Sequence, residues 1–251
     1  EAFCFVGNFI TKIAYDGKSK EIKHGITIVA TGAEEYKPTE YLYGKDDRVA
    51  TLLELEERIA NGDAKVINAE SLAIILCVGC RNKDKPYCSR VCCGHAIKCA
   101  LKLKEINPKI EISIFYQDVM TYGFKEDYYR EAAGQEVKFI RYDLNSIPQV
   151  EAIEDNGRRI LRVTVPDPIL EENLTIDADI LALAAAVVPS ASTKELSRLY
   201  MVSLSPDVFF MEAHAKLRPV DFATDGVFLG GMAHYPKYIP EAIAQAYGAA
   251  E

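Results

Sequence analysis

Five of the seven cysteines in this chain of 251 residues fall between positions 77 and 93, as Cys77-Val-Gly-Cys80-Arg81-Asn82 and Cys88-Ser-Arg-Val-Cys92-Cys93. A secreted disulfide scaffold is short and spreads its cysteines along the chain. A cluster inside an enzyme-sized chain points instead to metal or redox chemistry in a reducing, cytoplasmic setting. The cluster also constrains local structure. It follows a continuous apolar run, residues 72–77, that reads as a buried strand, and it precedes a helix predicted over 89–105 that stops before Asn107-Pro108. Cys88 and Cys92 are four apart, so a helix start turns both thiols one way, and Cys93 follows about 100° round. Cys77 supplies a fourth thiolate from the strand end. Four thiolates suit zinc or a [4Fe–4S] cluster, and a helix N-terminus favours thiolate over thiol.

Other readings of these residues are weaker. Five thiols beside Arg81, Lys83 and Arg90 are not ordinary buried cysteines, and Cys-x3-Cys-Cys lacks the paired knuckles usual for structural zinc. Cys99, seven residues after Cys92, reads as core filler. Cys80 spells Cys-x-x-Cys with Cys77, a redox-disulfide spacing, although at a strand end rather than opening a helix.

The rest of the chain alternates in an α/β manner. Strands over 110–116 and 137–142 flank a helix over 126–133, and this order predicts a doubly wound parallel sheet. A polar hairpin around Asn156-Gly157 and a strand over 178–188 follow. Before the cluster, a hairpin turns at Asp16-Gly17, a buried strand runs over 26–33, and Thr51 with Glu54 forms a capping box for a helix over 51–60. After it come a helix over 193–199, an extended stretch over 209–216, a strand over 226–231 running into a double glycine, and a helix over 240–250.

Charge excludes some classes. With 37 Asp+Glu against 29 Lys+Arg, a net of −8 and no basic tract, the chain is a poor binder of nucleic acid or anionic membrane. Its longest apolar run, residues 180–188, is about half the roughly 20 residues a membrane helix needs, so a soluble protein without direct membrane insertion is expected. No signal peptide is visible, and a chain opening on Glu1 is expected to lack its natural start.

Taken together, the cysteine strings resemble the motif of the A subunit of heterodisulfide reductase, a family that includes the A subunit of the quinone-interacting oxidoreductase of sulfate reducers. Strings along nearly all of the chain carry the same resemblance: Phe5-Val-Gly-Asn-Phe9, Ala30-Thr-Gly-Ala33, Tyr36-Lys-Pro-Thr-Glu-Tyr-Leu-Tyr-Gly44, Tyr122-Gly-Phe-Lys-Glu-Asp-Tyr-Tyr129, Ala213-His-Ala-Lys-Leu-Arg-Pro-Val220 and Ala233-His-Tyr-Pro-Lys237. The resemblance implies two interleaved dinucleotide-binding domains of thioredoxin-reductase type that bind FAD and a [4Fe–4S] cluster. Residues 1–68 and 196–251 would form the FAD side, and residues 69–195 the cluster-bearing domain. Proteins of this family pass electrons among flavin, clusters and partner subunits, and some bifurcate them. Their partners are the other subunits of a heterodisulfide-reductase-like or quinone-linked complex, and a homodimer is compatible with this.

Cys77, Cys88, Cys92 and Cys93 are then the cluster ligands. The family usually has serine where this chain has Cys80, which becomes an alternative ligand or a spare thiol. In a pyridine-nucleotide enzyme the strand over 72–77 would open a Gly-x-Gly-x-x-Gly turn; here cysteines fill it and only Gly79 remains. No such turn opens the chain either, so the first half of the FAD site is expected on other sequence. Thr31 and Gly32, and Gly230, Gly231 and Met232, resemble the two flavin-contact turns. A cation favouring reduced flavin is expected at Lys98, with His234 and Lys237 behind it. A pyridine-nucleotide-dependent disulfide reductase using Cys77 and Cys80, and a zinc-stapled interaction module, are the competing classes.

Overall fold

A computed structural model describes residues 2–3, 5–155, 157–167 and 172–251. It divides the chain into two compact units, Tyr36–Ala186 and a second built from Glu1–Glu35 with Val187–Glu251.

The unit Tyr36–Ala186 is built on a five-stranded sheet. Its strands lie in the order Val49–Thr51, Ile180–Ala185, Ser71–Val78, Glu111–Tyr116 and Lys138–Arg141, all parallel. Ser71–Val78 is buried along almost its whole length, as a strand covered on both faces must be. Helices Leu52–Ala60 and Cys92–Ile106 pack against the sheet, burying Leu55, Ile59, Ala96, Ile97, Ala100 and Leu103. Leu161, Val163 and Val165, from an antiparallel meander of Gln149–Asp155, Arg158–Pro166 and Asn173–Ala178, share a core with Ile75, Phe115 and Leu181. A β-meander thus takes part in covering this sheet. Asn156, expected in the turn of that hairpin, lies outside the described residues.

The capping box forms as expected: the Thr51 hydroxyl accepts from the Glu54 amide, and Glu54 Oε2 accepts from the Thr51 amide at 2.7 Å. The cysteine helix does not start where expected. It begins at Cys92, because Arg90 takes φ 58° and its amide donates to the Cys88 sulfur at 3.2 Å, which holds residues 88–91 in a loop. Cys88 therefore approaches Cys92 from a loop and not along a helix face. The strand expected over 178–188 is split into Asn173–Ala178, Ile180–Ala185 and Val187–Pro189, each pairing with a different neighbour.

In the other unit, Phe9–Tyr15 and Lys18–His24 form the expected hairpin, its turn made by Asp16 (φ 46°) and Gly17 (φ 72°). Thr27–Val29 pairs in parallel with Val227–Leu229, and Ala33–Glu35 pairs antiparallel with Val187–Pro189. The strand expected over 26–33 is thus only three residues long, and Ile28 is 46% exposed. Phe9, Val29, Phe210, Phe222, Val227 and Leu229 form the core. Residues 209–216 are not an extended strand. The His214 ring nitrogen accepts from the Lys216 and Leu217 amides, both at 3.2 Å, and so folds that stretch into a turn.

The units part at 35/36 and 186/187, not at the expected 68/69 and 195/196. Val49–Thr51 and helix Leu52–Ala60 complete the parallel sheet, which draws residues 36–68 into the cysteine-bearing unit.

Candidate functional site

The cysteines sit where the doubly wound topology turns. Ser71–Val78 lies between Ile180–Ala185 on one side and Glu111–Tyr116 on the other, so the loop after it leaves the sheet at its switch point, the usual ligand position in such sheets. Two backbone features shape that loop. Leu183 faces Ile75 while Ala185 faces Val78, so an extra residue is accommodated on the cysteine strand, where Cys77 takes φ 64°. A bulge of this kind re-aims a side chain at the end of a strand. Gly79, at φ 81°, then lies under the Tyr36 ring; an added Cβ would come within 2.2 Å of it. Asn82 orders the outer loop, its side-chain oxygen accepting from the Asp84 and Lys85 amides.

The structure brings the five thiols together. Cys77, Cys80, Cys92 and Cys93 are buried and Cys88 is half-buried. Cys77 and Cys80 hydrogen-bond through their side chains, as do Cys92 and Cys93. The hydrogen bond from Cys77 holds Cys80 down at about 6, against burial and with help from Ser89. The bond from Cys92 holds Cys93 at about 7. Their partners are pushed the other way, first by those same hydrogen bonds and then by burial. Burial, before any other cause, raises Cys88. The helix that begins at Cys92 has no side-chain cap, which leaves its first amides to the thiols and their surroundings.

Residues outside the cysteines complete the setting. Ser89 is fully buried and its hydroxyl donates to Cys80 Sγ at 3.5 Å. Arg81 pairs with Asp118 at 2.5 Å, Cys93 Sγ lies 3.7 Å from the Asp118 carbonyl, and Arg90 donates to the Tyr122 hydroxyl at 2.6 Å. The Tyr142 hydroxyl donates to the Leu76 carbonyl at 2.7 Å, fixing the strand just before Cys77. Sequence reasoning singled out Arg81 and Arg90 but missed Ser89, Asp118 and Tyr142. Ser89 lay inside the motif; the other two follow strands whose register no local pattern reveals.

Cys99 stands apart: buried in the helix, it is raised to about 12 by burial and interacts with Glu56 and Lys98. Cys4 lies outside the described residues. No three His, Cys, Asp or Glu side chains among the described residues are placed to hold a metal ion. A four-iron cluster makes a looser demand, since each of its thiolates binds a different iron. The donor set, five thiols from one strand end, the loop that follows it and one helix start, fits that group.

Lys98 makes its contacts away from the five thiols. Its side chain is 66% exposed and its ammonium pairs with Glu56, which also takes His95 Nε2 at 2.6 Å. The carboxylate offsets much of the positive field expected there.

In the other unit, the two glycine turns predicted from sequence do meet. Thr31-Gly32 and Gly230-Gly231-Met232 leave the ends of the paired strands Thr27–Val29 and Val227–Leu229, and the Gly230 amide donates to the Val29 carbonyl at 3.0 Å. Gly32 and Gly231 both take positive φ, and nothing lies within 4 Å of where their Cβ would be. His234 follows directly. Its Nε2 donates to Glu212 at 2.8 Å, while Nδ1 faces Gln245 Nε2 at 2.9 Å and Lys237 Nζ at 3.3 Å. Burial lowers its pKa, and the neutral ring matches this pattern of one donor and one acceptor nitrogen. Lys237 is 4% exposed, its ammonium 4.2 Å from the Tyr235 ring centre.

No family model matches the chain. Curated relatives do. The chain is 42% identical over 246 residues to the A subunit of the H(2):CoB-CoM heterodisulfide,ferredoxin reductase of Methanothermobacter thermautotrophicus, covering 92% of this chain and 36% of that protein. It is 40% identical over 256 residues to the iron-sulfur A subunit of the CoB--CoM heterodisulfide reductase of Methanocaldococcus jannaschii, covering 95% and 38%. The chain thus spans little more than a third of the length of these relatives. Among solved structures it is similar to Lactococcus lactis thioredoxin reductase (TM-score 0.59, 16% identity, 99% of this chain and 70% of that one). The thioredoxin reductase of T. acidophilum gives a TM-score of 0.58 at 15% identity over 99% of this chain and 69% of that one. At such identities these likenesses bear on fold alone, and they bear out the dinucleotide-binding α/β fold. Sequence identity along nearly the whole chain goes further: this chain belongs to the heterodisulfide reductase A-subunit family.

Proposed function

We propose that the chain is the flavin- and iron–sulfur-binding part of an oxidoreductase that carries electrons within a heterodisulfide-reductase-like complex. The observation that carries this reading is the replacement of a dinucleotide turn by thiols. At the switch point of a parallel sheet, where a nucleotide pyrophosphate would meet a glycine-rich turn, five thiols gather and the remaining glycine lies under Tyr36. Cys88, Cys92 and Cys93, with a thiolate from the strand side, would hold a [4Fe–4S] cluster, which supplies one-electron transfer when bound. Hydrogen bonds to the ligating sulfurs tune such a centre, and here the Arg90 amide serves Cys88.

FAD is the proposed second cofactor. Thr31, Gly32, Gly230, Gly231 and Met232 would meet its pyrophosphate and ribityl chain through backbone amides, with His234 beside them. Relatives named as subunits of heterodisulfide and ferredoxin reductases support partner subunits, with electron bifurcation and a quinone-linked assembly as the forms to be tested. Iron, zinc and acid-labile sulfide analysis of anaerobically purified protein tests the core of the proposal. Iron and sulfide in equal amounts, about four of each per chain, support it; zinc without sulfide ends it.

The Cys77–Cys80 hydrogen bond favours one competing reading, a dithiol reductase fed by NAD(P)H. Saturable bleaching of bound flavin by NADPH would move that reading to first place. None is expected, because Tyr36 covers the only glycine of the turn.

A further inference from the structure

A [4Fe–4S] cluster takes four protein thiolates, yet five thiols share this edge of the sheet. Building on the cluster reading, we propose that Cys77 and Cys80 are alternative ligands of one and the same iron, able to exchange. Sequence left Cys80 as ligand or spare; the structure puts it inside the group. Cys80 is 2% exposed, more deeply buried than Cys77 at 6%. Its side chain hydrogen-bonds that of Cys77, and its charge is felt by Cys88, Cys92 and Cys93. Ser89, set between Cys88 and Cys92 in the chain and fully buried, donates its hydroxyl to Cys80 Sγ. A hydrogen bond from a buried hydroxyl to sulfur is the environment of a ligating thiolate, not of a spare thiol in an apolar core.

Cys77 and Cys80 are also linked to each other. The Cys80 amide donates to the Cys77 carbonyl at 3.3 Å and their side chains hydrogen-bond, so the tight turn at the strand end holds the two sulfurs side by side. Cys77 reaches the group only by taking φ 64° in the irregular part of its strand. For a non-glycine residue that left-handed conformation is strained, which narrows the advantage of Cys77 over Cys80. With the cluster bound, the Cys77–iron bond would break as the Cys80–iron bond forms, and the Cys80 proton would cross the side-chain hydrogen bond to the Cys77 sulfur with no electron changing hands.

The test uses the full chain purified without oxygen, with iron and acid-labile sulfide assayed, the reduced cluster examined by electron paramagnetic resonance, and folding checked by circular dichroism. Cys77→Ala and Cys80→Ala should each keep the wild-type iron and sulfide, and their resonance spectra should differ, because each fixes one ligand. The Cys77→Ala/Cys80→Ala double variant should lose the cluster. Cys77→Ser, which preserves size, stands in if Cys77→Ala does not fold. Loss of the cluster from either single variant overturns the exchange, as does full retention in the double variant. Wild-type protein without iron would end the cluster reading itself, and is read before any variant is compared.

Discussion

At the scale of single residues, the proposed ligand set and one ion pair lend themselves to direct test. Cys88→Ala, Cys92→Ala and Cys93→Ala should each strip iron from the protein. Each removes a thiol that interacts with at least two of the other four. Cys99→Ala should keep the iron, at a cost on the order of 1 kcal/mol for the small void left in the helix core. Full iron in the Cys92 variant would refute the assignment. Away from the site, Asp46 accepts from Arg48 Nε at 2.9 Å and from Nη2 at 2.7 Å. That pairing, before any other cause, holds its carboxyl down at about 2 from an ordinary 3.8. A lowered carboxyl pKa contributes stability that is complete above 3.8 and lost as pH falls through about 2. After discounting for solvent screening, Asp46→Asn should cost about 1–2 kcal/mol at pH 7 in urea unfolding. The gap to wild type should close as pH is lowered through that window; a gap independent of pH would point to packing and not charge.

At the scale of elements, the loop between strand Ser71–Val78 and helix Cys92–Ile106 is the most sensitive. Gly79 is needed twice over, for its φ of 81° and for the Tyr36 ring that lies where a Cβ would sit. Gly79→Ala should cost about 1–2 kcal/mol for the backbone alone, and further for the displaced ring. The shift would move Cys77 and Cys80, so iron content should fall as well. Adding Tyr36→Ala should relieve the steric part and leave the backbone part. If Gly79→Ala holds full iron at wild-type stability, the loop is not the constraint described. Helix Leu52–Ala60 behaves more simply: its capping box depends on neighbours in sequence, which is why it could be read in advance.

At the scale of the whole molecule, the proposed flavin site raises the question of which cation would serve it. Lys98 shares Glu56 with His95, and Lys237 lies buried against His234 and Gln245 in the unit that carries both glycine turns. A cation worth about 1 kcal/mol of differential stabilisation moves a two-electron potential by roughly 20 mV. In the FAD-loaded enzyme, Lys98→Met should lower the flavin potential by less than that, and Lys237→Met by more. The reverse order in a redox titration would return the role to Lys98. Sequence alone determined whatever depends on near neighbours. The Asp16-Gly17 hairpin, the Thr51–Glu54 cap, the apolar strand before Cys77, the separation of Cys99 and the gathering of thiols past the strand end all rest on spacing and propensity. Tertiary structure decided what depends on register and packing between distant segments. The strand irregularity at Cys77 arises from pairing with Ile180–Ala185 a hundred residues away, and Asp118 reaches Arg81 from just past the next strand. The helix starts at Cys92 because Arg90 is held by a sulfur contact. Residues 36–68 join the cysteine unit because Val49–Thr51 completes its sheet. Hydrogen-bond partners across a sheet are chosen by global topology, and no local period in the sequence encodes that choice.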